Sequence, residues 1–390
     1  MSSAPLTEFQ GYPRAHGPAG VRNHLLVLNT TGLTEATARR VHVALPGSVL
    51  VSTPYGMGLL GVDAERQLAS LIGLASNPNV GAVLVLSADR PRCDALIEAL
   101  KPLDRPFAAL CSDEVGHDAL RLSDRAVREG ARLRRQASRV RRTPQPLAAL
   151  VVGLECGLSD PTSGIAANPL LGRLTDRLVD EGATVIVGET LEWLGTERQL
   201  AQRSASPRIG EAVVAAVLRR ESLARQAGIS LTDINPNRAN IRAGLSTIEE
   251  KASGSVAKTG SAEIQGVLRY AETPPGAGLY LMDAPAYSPE SLTGFVAAGA
   301  QVLVFSTGVG NSHVSALAPT LKVCANEATM LGLSEQIDLD CSSLMGSRAN
   351  PPAVLDELLE RLLDVASGTW TWGEAVGEGA ECISRFGESL

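Results

Sequence analysis

Aromatic side chains make up only 3% of this chain, so Ala, Val and Leu must fill most of any core. The six cysteines (Cys93, Cys111, Cys156, Cys324, Cys341, Cys382) form no CxxC pair. That spacing excludes a thiol-redox or zinc-ribbon motif and fits reduced thiols in the cytoplasm. The opening MSSAPLTEFQGYPRAHG has neither a basic stretch nor an apolar stretch of signal-peptide type. No run approaches the roughly 18–20 apolar residues of a membrane span. The chain also lacks basic excess: its net charge of −7 argues against a nucleic-acid partner. A cytoplasmic protein with neither a membrane nor a nucleic-acid role is expected.

What remains is 390 residues, 44% of them hydrophobic and 20% charged, enough for two or three packed units at roughly 150 residues each. Apolar runs at His24–Asn29, Ser48–Ser52, Ala82–Leu86 and Pro106–Leu110 alternate with amphipathic stretches at Thr34–Ala44, Asp63–Ala75 and Cys93–Ala99. Continuously apolar strands between helices point to an α/β fold, with mostly parallel sheets flanked by helices. An Arg-rich helix pattern over Asp118–Arg142 reads as a solvated face, and Thr143-Pro-Gln-Pro146 as a boundary. The reading is an N-terminal α/β domain over 1–145 and a C-terminal catalytic α/β domain over 146–390, with a further division near 252–275. In the second half, strands are expected near 148–153, 184–187, 278–282 and 301–306. The leucine spacing of Pro351–Ala366 predicts an amphipathic helix.

Polar residues gather in four places. Gly153–Pro169 follows an apolar strand and precedes a helix, the usual ligand position in open α/β sheets. It offers Cys156, Ser159, Asp160, Ser163 and Asn168, although Ser and Asp also serve as ordinary helix caps. Gly188–Glu192 brings Glu189 and Glu192, paired carboxylates suited to a metal or to proton transfer, or simply an acidic first helical turn. A third group holds Asn235, Asn240, Lys251 and Lys258. A fourth, Phe305–Asn326, holds Thr307, Lys322 and Asn326. Lysines among Gly, Ser and Thr suit a carboxylate ligand. The Ser-Thr-Gly-Val-Gly stretch at 306–310 lacks phosphate-loop spacing and suits a turn against a ligand or neighbouring backbone. His24 and His42 read as core groups. His16 and His313 lie in Gly-rich loops, without metal-site spacing.

Together these stretches resemble the altronate/galactarate dehydratase family. The resemblance rests on GYPRAHGPAGVRN (11–23), NPNVGAVLVL (77–86), GLECGLSDPTSGIAANPLLGRLTD (153–176), GETLEWLGTE (188–197), NPNRANIRAGLSTIEEK (235–251), MDAPAYSPESLTGFVAAGAQ (282–301) and FSTGVGNSHVSALAPTLKVCAN (305–326). It implies a hydro-lyase removing water from a sugar acid or related 2-hydroxy carboxylate to give a 2-keto-3-deoxy acid. It further implies a divalent iron or manganese ion, and an oligomer with a separate small subunit in place of the family's N-terminal domain. Asp160, Glu189, Glu192, Lys251 and Lys258 are then the catalytic candidates. Cys156, Ser163, Asn168, Asn240, Thr307, Lys322 and Asn326 are the substrate-binding ones. Three departures weaken the metal expectation, and no metal ligand is assigned. Thr53-Pro-Tyr-Gly-Met57 replaces a His-Pro-Phe-Gly-Cys pattern, Ser87-Ala-Asp-Arg-Pro91 replaces Gly-Leu-Gly-Cys-Glu, and Val309 replaces an arginine. The cysteine-free loop at 53–57 also resembles the large subunit of sulfolactate sulfo-lyase, which releases sulfite. A non-catalytic acid-binding paralogue is the remaining alternative.

Overall fold

The computed structural model describes residues 7–56, 58–231 and 235–387; the Met57 position falls outside them. The apolar runs become strands because their side chains are buried on both faces, as all eight are in Val80–Ser87. The first unit is a four-stranded parallel sheet of β2 (His24–Asn29), β3 (Ser48–Ser52), β4 (Val80–Ser87) and β5 (Phe107–Cys111), in the order β3-β2-β4-β5. β1 (Glu8–Gly11) pairs antiparallel with β6 (Thr143–Pro146). The Thr-Pro-Gln-Pro segment is therefore a short strand rather than a bare linker. Its prolines leave few donors, which suits a two-stranded ribbon at the edge.

The second unit is a seven-stranded parallel sheet. Its strands are β7 (Val151–Cys156), β8 (Thr184–Val187), β9 (Ile264–Leu268), β10 (Gly278–Met282), β11 (Val302–Thr307), β12 (Thr320–Cys324) and β13 (Leu339–Asp340), ordered β13-β12-β11-β7-β8-β10-β9. The chain steps from β7 to β8 on one side and later returns to place β11 on the other. The carboxyl ends of β7, β8 and β11 thus flank a topological switch point, where a crevice opens.

The two units share a core that includes Leu28, Val85, Ile186, Phe295 and Phe305. The helix Gly61–Ser76 lies so close to Ser288–Ala297 that a Cβ on Gly73 would meet the Ala297 carbonyl oxygen at 2.1 Å. The Asn-Pro-Asn motif stitches the same seam. Asn77 Nδ2 donates to Val296 O (2.7 Å) and Ala300 O (2.9 Å), and Asn79 Nδ2 to Gln301 O (2.8 Å) and Leu317 O (3.0 Å).

The Arg-rich helix runs Ala119–Ala137, capped by Asp118, and its Arg128 and Arg132 pair with Asp124 and Glu129 at the surface. A larger difference from the sequence reading concerns 251–261. This stretch, at the start of the further division expected near 252–275, forms the helix Ile248–Val256 and a 3-10 turn, Ala257–Thr259. Thr247 caps it, accepting from Glu250 N at 3.1 Å. Gly254 is needed for packing: a Cβ there would meet Gly164 Cα at 3.0 Å. Among the described residues no helix is long and apolar enough to cross a membrane.

Candidate active site

Three segments carry charge to the switch point. β7 ends in Glu155 and Cys156. β8 runs into Gly188 and Glu189, then a 3-10 turn, Thr190–Trp193, that holds Glu192. The helix Ile248–Val256 and the turn after it bring Lys251, Ser255 and Lys258. Glu189 is a non-glycine residue at φ 57°, a conformation costing about 1–3 kcal/mol. Its surroundings enforce it. Thr190 N donates to Ala284 O at 3.1 Å, Trp193 Nε1 to Gly188 O at 3.0 Å, and Ser288 Oγ to Glu189 Oε1 at 2.9 Å. Gly188 must lack a side chain, because a Cβ would meet Ser291 Oγ at 2.4 Å.

These groups form one buried network. Lys258 Nζ lies 2.8 Å from Glu155 Oε1, 3.7 Å from Glu192 Oε2, 3.2 Å from Cys156 Sγ and 2.7 Å from Ser255 Oγ. Lys251 Nζ reaches Glu192 Oε1 at 2.7 Å and Asn235 Oδ1 at 2.6 Å. Ser255 Oγ donates to Glu192 Oε2 at 2.6 Å, and Ser291 Oγ to Glu155 Oε2 at 2.8 Å.

Burial alone would neutralise such groups. The neighbours decide which stay charged. Burial pushes Glu192 up, but Lys251 and Lys258 outweigh it and hold its carboxyl down at about 2. Burial drives Glu189 well above the usual carboxylate range, and the charges of Glu192 and Glu155 add to the rise. Burial also raises Glu155, against the pull of Lys258. Both lysines are raised against their burial by the carboxylates in contact with them: Lys251 by Glu192, Lys258 by Glu155 and Glu192. Burial, with Glu192, lifts the Cys156 thiol to about 12, so it is a weak nucleophile. Two carboxyl groups, Glu155 and Glu192, thus pair with two lysines, while Glu189 and the Cys156 thiol are both raised.

A cleft of about 260 Å³ opens onto this network, lined by Asp160, Asn168, Lys251 and Ser255 among others. Asp160 stands at its rim, held rigidly. Its Oδ1 accepts from Thr162 Oγ1 (2.7 Å), Ser163 N (3.0 Å) and Ser163 Oγ (3.1 Å), its Oδ2 from Asn326 Nδ2 (2.7 Å). Gly308 makes this packing feasible, since a Cβ there would meet Asp160 Cγ at 2.4 Å. The loop at 306–310 therefore does turn against a neighbouring backbone. Asn168, at the end of a π-helical turn (Ser163–Ala167), donates to Gly254 O at 2.8 Å and accepts from Ser306 Oγ at 2.5 Å. Asn240 Nδ2 donates to Ser159 O at 2.9 Å, fixing the same loop from outside.

The structure thus brings Cys156, Glu189, Glu192, Lys251 and Lys258 into one cluster, with Asp160, Ser163, Asn168, Asn240 and Asn326 beside it. Thr307 and Lys322 stand apart. Thr307 Oγ1 accepts from Gly310 N at 3.1 Å within its own loop. Lys322 lies inside β12 with its Nζ 3.8 Å from Glu378 Oε2 and without a hydrogen bond. His24 and His313 are both held down at about 4 by burial. Sequence reasoning missed Glu155, Ser255, Ser288 and Ser291. Glu155 hid inside an apolar strand, where a single carboxylate was itself the available signal.

The expected metal can be tested against the donors present. Glu155, Cys156 and Glu192 place one ligand atom each within 4.8 Å of one another, a spacing compatible with a divalent cation. The Lys258 ammonium already sits within 3.7 Å of all three. With the lysine in place, the trio does not fit a metal. Of the sequence departures, Thr53 Oγ1 donates to Gln67 Oε1 at 3.4 Å, and Arg90, at the cysteine position, lies 3.5 Å from Glu114 Oε1.

Two family models match the chain: D-galactarate/altronate dehydratase, C-terminal, over residues 147–389, and D-galactarate dehydratase/altronate hydrolase, second domain, over 11–138. The chain belongs to the D-galactarate/altronate dehydratase family. The chain is similar to the (2R)-sulfolactate sulfo-lyase subunit beta of Chromohalobacter salexigens, 35% identical over 98% of both chains. The altronate dehydratase of Escherichia coli is 31% identical over 94% of this chain and 75% of its own length, that of Bacillus subtilis 30% over 92% and 74%. As a member of this dehydratase family, the protein is a lyase.

Proposed function

We propose that the protein eliminates water across the Cα–Cβ bond of a small 2-hydroxy carboxylate of sugar-acid type, giving a 2-keto-3-deoxy acid. The observation that carries the reading is the buried pair Glu189 and Glu192, displaced in opposite directions behind Lys251 and Ser255, which line the cleft. Carboxylates whose environments separate them in this way divide naturally into acid and base. Lys251 receives the substrate carboxylate. That contact draws the ammonium from Glu192 and raises its basicity, so the substrate itself readies the base. Ser255, which lines the cleft and donates to Glu192 Oε2 at 2.6 Å, passes the α-proton inward to Glu192. The C–H electron pair moves into the Cα–Cβ bond as the β C–O bond breaks. Glu189 gives its proton to the departing hydroxyl, and the enol product becomes the keto acid. The two ammoniums stabilise the negative charge that develops as the α-proton leaves. Asp160, Ser163, Asn168, Asn240 and Asn326 shape the cleft.

A second reading takes sulfite as the leaving group. It is favoured by the end-to-end match with a sulfo-lyase subunit, 98% of both chains. The word "subunit" in that relative's name also supports a separate small partner chain for this protein. A cytoplasmic setting suits the metabolic substrates named for the relatives. Incubation with aldonates, aldarates and sulfolactate, with keto acid and sulfite measured separately, distinguishes the outcomes. Keto acid from an aldonate or aldarate is expected. Sulfite from sulfolactate alone selects the second reading, and neither product, with a co-expressed small subunit present, overturns both.

A further inference from the structure

The Glu155–Cys156–Glu192 trio has the donors and spacing of a cation site, yet a side chain of the same chain fills it. Lys258 is fully buried, and its ammonium makes contacts of 2.7–3.7 Å with the three donors and Ser255. Its backbone cannot readily withdraw. The turn Ala257–Thr259 presses on the helix Asn168–Asp180 so closely that a Cβ on Gly172 would meet the Ala257 carbonyl oxygen at 2.2 Å. Thr175 Oγ1 donates to Lys258 O at 2.7 Å, and Arg203 Nη2 to Thr259 Oγ1 at 2.5 Å. Arg203 also donates to the Gly260 carbonyl.

Charge gives the same answer as space. Two buried carboxylates, Glu155 and Glu192, face two ammoniums, Lys251 and Lys258. Even with the Cys156 thiol deprotonated, adding a divalent cation would leave an uncompensated positive charge in a water-poor interior, where an unpaired charge is strongly disfavoured. Metal and ammonium would also compete for the same oxygen and sulfur atoms.

We propose that Lys258 is the resident cation of the Glu155–Cys156–Glu192 trio, so that this trio works without a metal and becomes a divalent-metal site only when the ammonium is removed. The ammonium then performs locally what a cation would: it keeps the carboxylates ionised and the strand end of β7 fixed against the Ile248–Val256 helix.

Cobalt(II) titration of the metal-free full chain tests this by absorption, independently of any substrate. A thiolate–cobalt bond gives a charge-transfer band that reports Cys156 directly. Wild-type protein is expected to show no Cys156-dependent band. Lys258→Ala should bind about one equivalent per chain with the band present, and Lys258→Ala/Cys156→Ser should lose it. A band in wild type that Cys156→Ser abolishes would overturn the proposal, as would a folded Lys258→Ala chain that shows none. Should Lys258→Ala fail to fold, the wild-type and Cys156→Ser pair still decides between the two outcomes.

Discussion

Both sheets are parallel, both carry helices on their faces, and both send their strands into loops at a carboxyl edge, yet those edges differ sharply in chemistry. At the strand ends of the four-stranded sheet the buried polar groups are neutral. Asn29 accepts from Thr34 Oγ1 at 2.6 Å and donates to Ser52 Oγ at 2.9 Å, while Thr30 Oγ1 donates to Ser87 Oγ at 2.9 Å. At the edge of the seven-stranded sheet, three carboxyl groups, two ammoniums and a thiol share one buried network. The same architecture therefore serves as a scaffold in one unit and as a reaction centre in the other. The difference lies in strand-end residues, not in topology.

Substitutions at the two edges sharpen that contrast. The largest effect on turnover is expected from Glu189→Gln or Glu192→Gln, each lowering kcat by about 10²–10⁴-fold with the chain still folded, as steady-state assay and circular dichroism would record. Lys258→Met should cost about 3–5 kcal/mol in denaturant unfolding, because it strands a buried carboxylate. Lys251→Ala should act chiefly on KM, raising it about tenfold or more through loss of a charge-assisted contact. At the neutral edge, Asn29→Ala should lower stability by about 1–3 kcal/mol and leave kcat unchanged. A loss of kcat there as large as at Glu192 would break the comparison.

The pH dependence of stability carries the same contrast. Glu192 lies below its ordinary 4.5 when folded, so its contribution is present above pH 4.5 and is lost as pH falls towards 2. Glu189 is raised, so its sign is opposite: its contribution is complete at low pH and is lost as pH rises through its elevated value. Unfolding of Glu192→Gln should therefore show a flatter acid limb than wild type between pH 4.5 and about 2.

The elements that position the site were largely readable in the sequence, because their signals are local. β2 and β4 are continuous apolar runs, and the Pro351–Ala366 helix repeats its leucines at helical spacing. β12 was not read as a strand, because Lys322 interrupts its apolar run. β1 escaped because four residues acquire strand character only by pairing with a segment more than 130 residues away. Glu189 and Glu192 could be flagged from their position after a strand, but their opposite protonation depends on Lys251 and Lys258, which approach from a distant helix. Lys322 and Lys258 look alike in sequence, each near Thr and small residues. Only the fold sets one against His313 and Glu378 and the other between two carboxylates. The Asn-Pro-Asn motif matched the family as clearly as any site motif, yet its asparagines bind backbone across the domain seam.

The central claim is that a neutral Glu189 faces an ionised Glu192, and infrared difference spectroscopy reads it directly. At neutral pH, the wild-type-minus-Glu189→Gln spectrum should contain the carbonyl stretch of a protonated carboxylic acid. A spectrum with only carboxylate bands lost on that substitution would contradict the division of acid and base.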